Sequence, residues 1–139
     1  MRLPEQRLWD RMRAALVPMG VLLKRIENLV GEGMPDVVAA CRGQVTFIEL
    51  KAVRLEDVPT RARTPLLGKQ AGLSPEQRNW HMGWTRAGCP TLIIIGIGLE
   101  IVAIDGRRAD AVNTLSLAEL RAEAMANSWA SLRQMLGTT

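Results

Sequence analysis

The chain has 139 residues, enough for one domain with a substantial core and too few for two. Apolar residues make up 47% of it and charged residues 23%, the balance of an ordinary globular protein, and the net charge of +4 permits an anionic partner without establishing one. Cys41 and Cys89 are far apart with no cysteine–histidine cluster, which argues against a structural zinc site or a disulfide framework. We recognise no signal peptide, and the longest apolar run, residues 91–95, is too short to cross a membrane, so we expect a cytoplasmic protein with no membrane partner.

The first half of the chain predicts a helix followed by three strands. Apolar residues at three- and four-residue spacing predict an amphipathic helix from Pro4 to about residue 18. Residues 21–29, 36–41 and 44–52 are each predicted to be strands. Since only Arg42-Gly43 separates the last two strands, they should form an antiparallel hairpin.

The second half predicts a basic loop, a helix, two strands and a last helix. Residues 53–73 hold several basic residues, prolines and glycines without periodicity, which is typical of a long functional or mobile loop. Ser74 is a favourable N-cap for a helix that ends near Arg86. Residues 91–97 and 99–104 are predicted to be buried strands, and a capping-box pattern at Ser116 should open a last helix over about 116–136. This order predicts a single α/β sandwich domain, residues 1–139, around one mixed sheet.

The strongest functional signal is an aspartate followed by a glutamate and a lysine two residues apart in an apolar strand. Because strand residues i and i+2 point to the same face, Glu49 and Lys51 project together, and the hairpin brings Asp36 close to them. Mg²⁺ prefers oxygen ligands and keeps several waters, so Asp36 and Glu49 could hold it together with a substrate phosphate, and the Leu50 carbonyl could add a further oxygen. Such a metal polarises a phosphodiester and activates a water, while Lys51 orients that water or stabilises developing charge.

A plainer interpretation stays open at this point. Glu49 and Lys51 could form a surface ion pair, and Pro35-Asp36 could simply form a turn. The order, the spacing and the strand context together favour the metal site.

Three blocks of sequence resemble the VRR-NUC (virus-type replication-repair nuclease) branch of the PD-(D/E)XK nucleases. In chain order they are Gly33-Met34-Pro35-Asp36, Phe47-Ile48-Glu49-Leu50-Lys51 and Leu73-Ser74-Pro75-Glu76-Gln77. The resemblance covers roughly residues 5–104 and implies a restriction-endonuclease-like α/β/α sandwich with a central mixed five-stranded sheet, in the order helix, three strands, helix, two strands, helix. It assigns Asp36 and Glu49 as metal-binding acids, Lys51 as the catalytic lysine, and Gln77 as a catalytic-site glutamine on the helix behind them.

The resemblance also implies a third acid in the metal shell. Glu5, near the start of the first helix, matches it, although an acid in a first helical turn also complements the helix dipole. Glu27 and Glu32 are rival third acids, and Glu27 could instead be a cross-strand partner of Arg25.

The long basic loop supplies the candidates for contacts to DNA phosphates: Arg54, Arg61, Arg63 and Lys69. The alternative is a loop whose charges are merely solvated. His81 follows Gln77 by one helical turn and shares its face, which leaves open a proton shuttle, a structural hydrogen bond or a DNA-backbone contact. The four tryptophans lie at helical spacings and are expected in the core or an interface.

These signals predict a Mg²⁺- or Mn²⁺-dependent DNA endonuclease. The resemblance implies a role in phage or bacterial replication and repair, branched DNA such as four-way junctions or flaps as substrate, and a homodimer. One alternative is a catalytically inactive DNA-binding module on the same fold. A second, a small-molecule phosphoesterase, is disfavoured by the arginine-rich loop, since such a loop suits a polyanion.

Overall fold

A five-stranded sheet forms the centre of the computed structural model, which describes residues 3–26 and 33–137, without the side chains of Leu3, Lys69 and Gln70. The strands lie in chain order and are β1 (Leu22–Arg25), β2 (Val37–Cys41), β3 (Gln44–Val53), β4 (Thr91–Ile97) and β5 (Glu100–Asp105). Neighbouring strands are antiparallel except β3 and β4, which are parallel. The predicted mixed sheet is therefore confirmed.

Five helices accompany the sheet: α1 (Leu3–Leu16), α2 (Gly68–Ala71), α3 (Pro75–Arg86), α4 (Leu117–Glu123) and α5 (Trp129–Met135). Short 3₁₀ turns occur at Val17–Met19, Leu55–Asp57, Gly106–Arg108 and Val112–Thr114. Because β3 and β4 are parallel, the chain must cross over between them, and α2 and α3 lie in this connection. No helix in the described ranges has both the length and the apolar character to cross a bilayer.

Each face of the sheet has its own hydrophobic core. On the first face, Leu8 and Met12 of α1 and Leu132 of α5 pack with Ile48 and Leu50 of β3. The core of the second face is separate, and its residues come from the connection before α3, from α4 and from β4 and β5 (Leu66, Leu67, Leu73, Leu120, Ile93, Ile95 and Ile104). Helices on both faces of a central sheet give the predicted α/β/α sandwich.

The hairpin that carries the acidic residues forms as predicted. Its two turn residues, Arg42 and Gly43, have φ of 53° and 83°. Positive φ at both positions is the signature of the tight turn whose twist matches that of the flanking strands. Val37 pairs with Ile48, and this register continues to Cys41 opposite Gln44.

The structure corrects three predictions of secondary structure. The last helix, predicted over about 116–136, is two helices, because the residues between α4 and α5 pair with edge strand β5: the Ala103 N–H donates to the Ala126 carbonyl (2.9 Å) and the Met125 N–H to the Ala103 carbonyl (2.8 Å). The strand predicted over 21–29 ends at Arg25, and residues 27–29 lie outside the described ranges. Residues 53–73 are not a plain loop, since they contain α2 and are anchored by buried leucines.

Candidate active site

Strand β3 presents three of its side chains to the face that α3 covers. Phe47, Glu49 and Lys51 alternate with Ile48 and Leu50, which enter the core of the opposite face. The paired register ends at Val37 opposite Ile48, and Asp36 directly precedes it, close enough to Glu49 to interact with it electrostatically. The two acids therefore lie side by side on one face of the hairpin, as predicted.

The position of Asp36 is fixed by hydrogen bonds through both its backbone and its side chain. Its carbonyl oxygen accepts the Ile26 N–H at 2.7 Å, which ties the start of β2 to the end of β1. Its carboxylate Oδ2 accepts the Leu50 N–H at 2.8 Å. The carboxylate is therefore held against β3 next to Glu49. The proposed role of the Leu50 carbonyl as a metal ligand stays a prediction.

Glu49 is an acid buried in a place that does not favour its charge. Its side chain is 1% exposed, and Oε2 accepts a hydrogen bond from Gln77 Nε2 at 3.1 Å. Oε1 is buried and has no hydrogen-bond partner within the described part of the chain. Burial, followed by repulsion from Asp36, raises the pKa of Glu49 from 4.5 to about 10. A cation between the two carboxylates would relieve both effects.

Gln77 connects the start of α3 to Glu49. Ser74 and Gln77 form a capping box: Gln77 Oε1 accepts the Ser74 N–H at 2.9 Å, and Ser74 Oγ accepts the Gln77 N–H at 3.1 Å. With its oxygen engaged in the cap, the Gln77 amide turns its NH₂ group toward Glu49. The cap that begins the helix therefore also orients the amide donor.

His81 lies behind Glu49, completely buried. Its Nδ1 is 2.8 Å from Thr91 Oγ1, and its Nε2 is 3.7 Å from Glu49 Oε1. Burial lowers the pKa of His81 from 6.5 to about 4, partly offset by the Asp36 charge, so the ring is neutral at physiological pH. The buried ring of His81 cannot reach a DNA backbone. Its contact with Thr91 is that of a structural hydrogen bond, one of the three roles that the sequence left open.

The remaining predicted site residues differ in how close they come to the acidic pair. Lys51 is half-buried, and its charge favours the ionised form of Glu49, whereas the charge of Glu5 on α1 opposes it. Glu5 is thus near Glu49, although no group of three or more His, Cys, Asp or Glu side chains suited to a metal occurs among the described residues. The rival acids Glu27 and Glu32 lie outside the described ranges.

Gly33 holds the Pro35-Asp36 turn against α3. It has a φ of 84°, and a Cβ added there would collide with the Glu76 carbonyl and lie 3.1 Å from the Gln77 nitrogen. Only glycine permits this close approach in this conformation. The glycine that opens the first resemblance block therefore packs directly against the block that contains Gln77.

The predicted DNA contacts lie on the surface. Arg54, Arg61 and Arg63 are exposed, and Arg54 follows β3 directly. Lys69 lies on α2, and its side chain is outside the description. All four assignments stay predictions.

Two of the tryptophans form part of an exposed apolar surface. Trp80 and Trp84 of α3 stack with ring centroids 4.8 Å apart, and Phe47 contacts both edge-on at 5.3 and 5.6 Å. Val45 and Leu22 continue this surface along the same face of the hairpin and β1, and they are 46% and 72% exposed. We call these five residues the tryptophan face. Elsewhere, Trp9 is buried in the core of the first face, as predicted, and Trp129 packs against that core.

Sequence reasoning missed two features of the site. Thr91 was interpreted only as part of a buried β-branched strand, yet its hydroxyl positions His81. The double role of Gln77 was also missed, although the spacing Ser74-x-x-Gln77 is itself a capping-box signal.

Comparison with known proteins supports the fold. No family model and no curated protein matches the sequence. Among solved structures, the chain is similar to Hjc, a Holliday junction resolvase from the archaeal hyperthermophile Archaeoglobus fulgidus, with 18% identity, coverage of 73% of this chain and 77% of that one, and a TM-score of 0.51. The chain has a restriction-endonuclease-like α/β fold. The fold implied by the sequence resemblance is therefore confirmed. A solved VRR_NUC domain is also similar, with 16% identity, coverage of 78% and 92%, and a TM-score of 0.49.

Proposed function

We propose that this protein is a divalent-metal-dependent DNA endonuclease that uses Mg²⁺ or Mn²⁺. The observation that carries the proposal is the placement of Asp36 and Glu49 side by side on a nuclease fold, with Lys51 two residues along the same strand face. Among the described residues, one buried carboxylate oxygen of Glu49 has no hydrogen-bond partner and lies beside a second carboxylate, which is the kind of donor set that a hard cation fits.

The residues of the site have different roles in the proposed reaction. Asp36 and Glu49 would hold the metal, with Glu5 as a further acid nearby, and the metal would supply Lewis acidity at the scissile phosphate and lower the pKa of a water. Gln77 orients Glu49 through its amide, and the half-buried Lys51 would place a positive charge beside the reacting phosphate. His81 fills the space behind Glu49 and keeps water from it.

The substrate we propose is branched DNA in phage or bacterial replication and repair. Arginines dominate the basic residues and are exposed after β3, which suits repeated phosphate contacts. Hjc, which shares the fold, is a Holliday junction resolvase. Four-way junctions and flaps are accordingly the first substrates to test.

We also propose a homodimer that pairs through the tryptophan face. Large apolar side chains grouped on one exposed surface favour burial against a partner, and a second copy brings two active sites to the two strands of a junction. Sedimentation over a range of protein concentrations tests this point. A protein that remains monomeric throughout would contradict it.

A cleavage assay tests the proposed activity. Labelled duplex, single-stranded, flap and four-way-junction DNA are incubated in Mg²⁺, in Mn²⁺ and in EDTA with the wild type, Asp36→Asn, and the exposed control Asp110→Asn. We expect metal-dependent cleavage by the wild type and the control, and none by Asp36→Asn. Binding without cleavage under every condition would instead support the catalytically inactive module.

A further inference from the structure

A groove of ≈ 610 Å³ lies between α1 and the ends of β3 and β4. We call it the α1 groove. Its lining includes Arg7 and Arg11 from α1 and Ala52 near the end of β3. Arg54 and Leu55, which follow β3, and Leu99, which follows β4, also line it. None of the candidate metal-binding acids lines it.

The α1 groove has an excess of positive charge that the protein does not neutralise. Arg7 and Arg11 lie four residues apart, so they share one side of α1, where like charges destabilise a helix. Arg54 also lines the groove, and Glu56 is the one acid among the lining residues. Within the described ranges, no side-chain hydrogen bond or ion pair engages Arg7, Arg11 or Arg54.

Several other arginines have acidic partners. Arg108 pairs with Glu123 at 2.8 Å, Arg121 pairs with Glu100 at 2.8 Å, and Arg13, on α1 itself, pairs with Asp10 at 3.0 Å. Two arginines on the same helix therefore differ: Arg13 has an acidic partner, whereas the described residues give Arg11, two residues earlier, none.

Arg11 in particular lacks an acceptor. Its side chain is half-buried, and its Nε is buried without a hydrogen-bond partner among the described residues. A buried donor left unpaired is unfavourable. An anion in the groove would provide the acceptor, and a guanidinium binds the two oxygens of a phosphate in a planar, bidentate manner.

The apolar side chains of the groove favour a nucleic acid strand over a small ion. Leu55 and Leu99 are 68% and 83% exposed at its border. A Cβ added to Gly98, which has a φ of 59°, would lie 2.9 Å from Leu55 Cγ, so the turn glycine lets Leu55 pack closely. Exposed apolar groups next to cations suit sugar and base surfaces beside a phosphate.

The groove is linked to the active site through β3 and α1. Ala52 of the groove follows Lys51 in β3 and, by strand alternation, lies on the opposite face of the sheet, and Pro4 of the groove precedes Glu5, whose charge reaches Glu49. A strand whose scissile phosphate lies at Lys51 would therefore reach the α1 groove by passing around the carboxyl end of β3. We infer that Arg7, Arg11 and Arg54 bind a backbone phosphate adjacent to the scissile one, an inference that rests on the proposed function.

Salt-dependent binding tests the α1 groove against a matched control on the same helix. Affinity for four-way-junction DNA is measured in EDTA over a series of salt concentrations for the wild type, Arg11→Gln, Arg7→Gln and Arg13→Gln. Each groove substitution should weaken binding and reduce the slope of log K against log salt by up to about 0.7–0.9, the value of one phosphate contact. Arg13→Gln should leave both unchanged. Arg7 is exposed, so its variant remains informative if Arg11→Gln unfolds.

A methylphosphonate scan then locates the contact. Neutral methylphosphonates replace, one at a time, the phosphates around the mapped cut. A methylphosphonate at one position next to the cut should weaken binding by the wild type more than binding by Arg11→Gln. If no position shows this loss of coupling, or if groove variants behave like Arg13→Gln, the inference is wrong while the nuclease proposal stands. If the wild type neither binds nor cuts DNA, the proposed function fails first.

If inorganic phosphate stabilises the protein against heat as much as DNA does, and only when Arg11 is present, the groove binds free anions and the strand interpretation is wrong.

Discussion

Replacing Glu49 with glutamine should change how the stability of the metal-free protein depends on pH. Glutamine has the shape of the protonated acid and cannot ionise. In the wild type, the pKa of Glu49 is 4.5 when unfolded and is raised to about 10 by burial and by Asp36. Between these values the folded protein keeps a proton that the unfolded chain releases. The stabilisation is therefore complete below the unfolded pKa and is lost as pH rises through this window.

The size of the effect follows from proton linkage. One proton held only by the folded state changes the unfolding free energy by at most about 1.4 kcal/mol per pH unit. Because the unfolded chain still holds a small part of this proton near pH 5.5, we expect on the order of 1 kcal/mol per unit between about pH 5.5 and 7.5. Over that interval the variant should gain on the order of 2 kcal/mol relative to the wild type.

Urea denaturation followed by tryptophan fluorescence, in EDTA at constant ionic strength, measures this difference. Parallel stability curves for the wild type and Glu49→Gln would refute the reasoning, because Glu49 would then titrate alike in the folded and unfolded chains. Adding Mg²⁺ provides a second comparison. It should stabilise the wild type increasingly as pH rises, since binding displaces the Glu49 proton, and it should stabilise the variant much less.

Three further substitutions test how the site is held in place. Gly33→Ala should lower the unfolding free energy by more than the about 1–2 kcal/mol of left-handed strain, because the new Cβ meets α3; an unchanged urea midpoint would contradict the close packing. Gln77→Glu keeps an acceptor for the capping box but removes the NH₂ donor to Glu49 and places an ionised carboxylate in a half-buried position, so we expect a loss of about 1–3 kcal/mol at neutral pH that shrinks in acid, where the new acid is protonated; equal loss at both pH values would show that charge is not the cause. Thr91→Val removes the hydroxyl that contacts His81 and should cost about 1–3 kcal/mol in the same urea assay, whereas a neutral result would show that the ring finds another partner.

The placement of the acidic pair could be predicted because it depends on local rules. A two-residue turn fixes the register of a hairpin, and strand alternation then decides which side chains share a face. Asp36, Glu49 and Lys51 follow from these two rules alone. The one fact the rules could not supply is that Glu49 is buried, since burial depends on how α3 packs over the strand.

The division of the last helix could not be predicted from periodicity. Residues 117–135 contain neither glycine nor proline, so the sequence offers no strong break. The break arises from pairing of residues 125–126 with Ala103 on edge strand β5, a contact between distant parts of the chain. The one local signal was Ser128, which caps α5 through Ser131.

The α1 groove likewise depends on tertiary structure. In the sequence, Arg7, Arg11 and Arg13 are three similar arginines off the apolar stripe of one helix. Only the fold separates them, because it places Arg7 and Arg11 beside Arg54 and leaves Arg13 with Asp10.

Single-turnover cleavage by Lys51→Ala tests the central claim most directly. Wild type, Lys51→Ala and the exposed control Lys24→Ala are each mixed in excess with a four-way junction at saturating Mg²⁺, and binding is measured separately in EDTA. We predict that Lys51→Ala cleaves at least about 10²-fold more slowly while binding nearly as well, because it lacks only the charge that stabilises the reacting phosphate. Lys24→Ala should cleave like the wild type. Equal cleavage rates for the wild type and Lys51→Ala would contradict the assignment of this site as the catalytic centre.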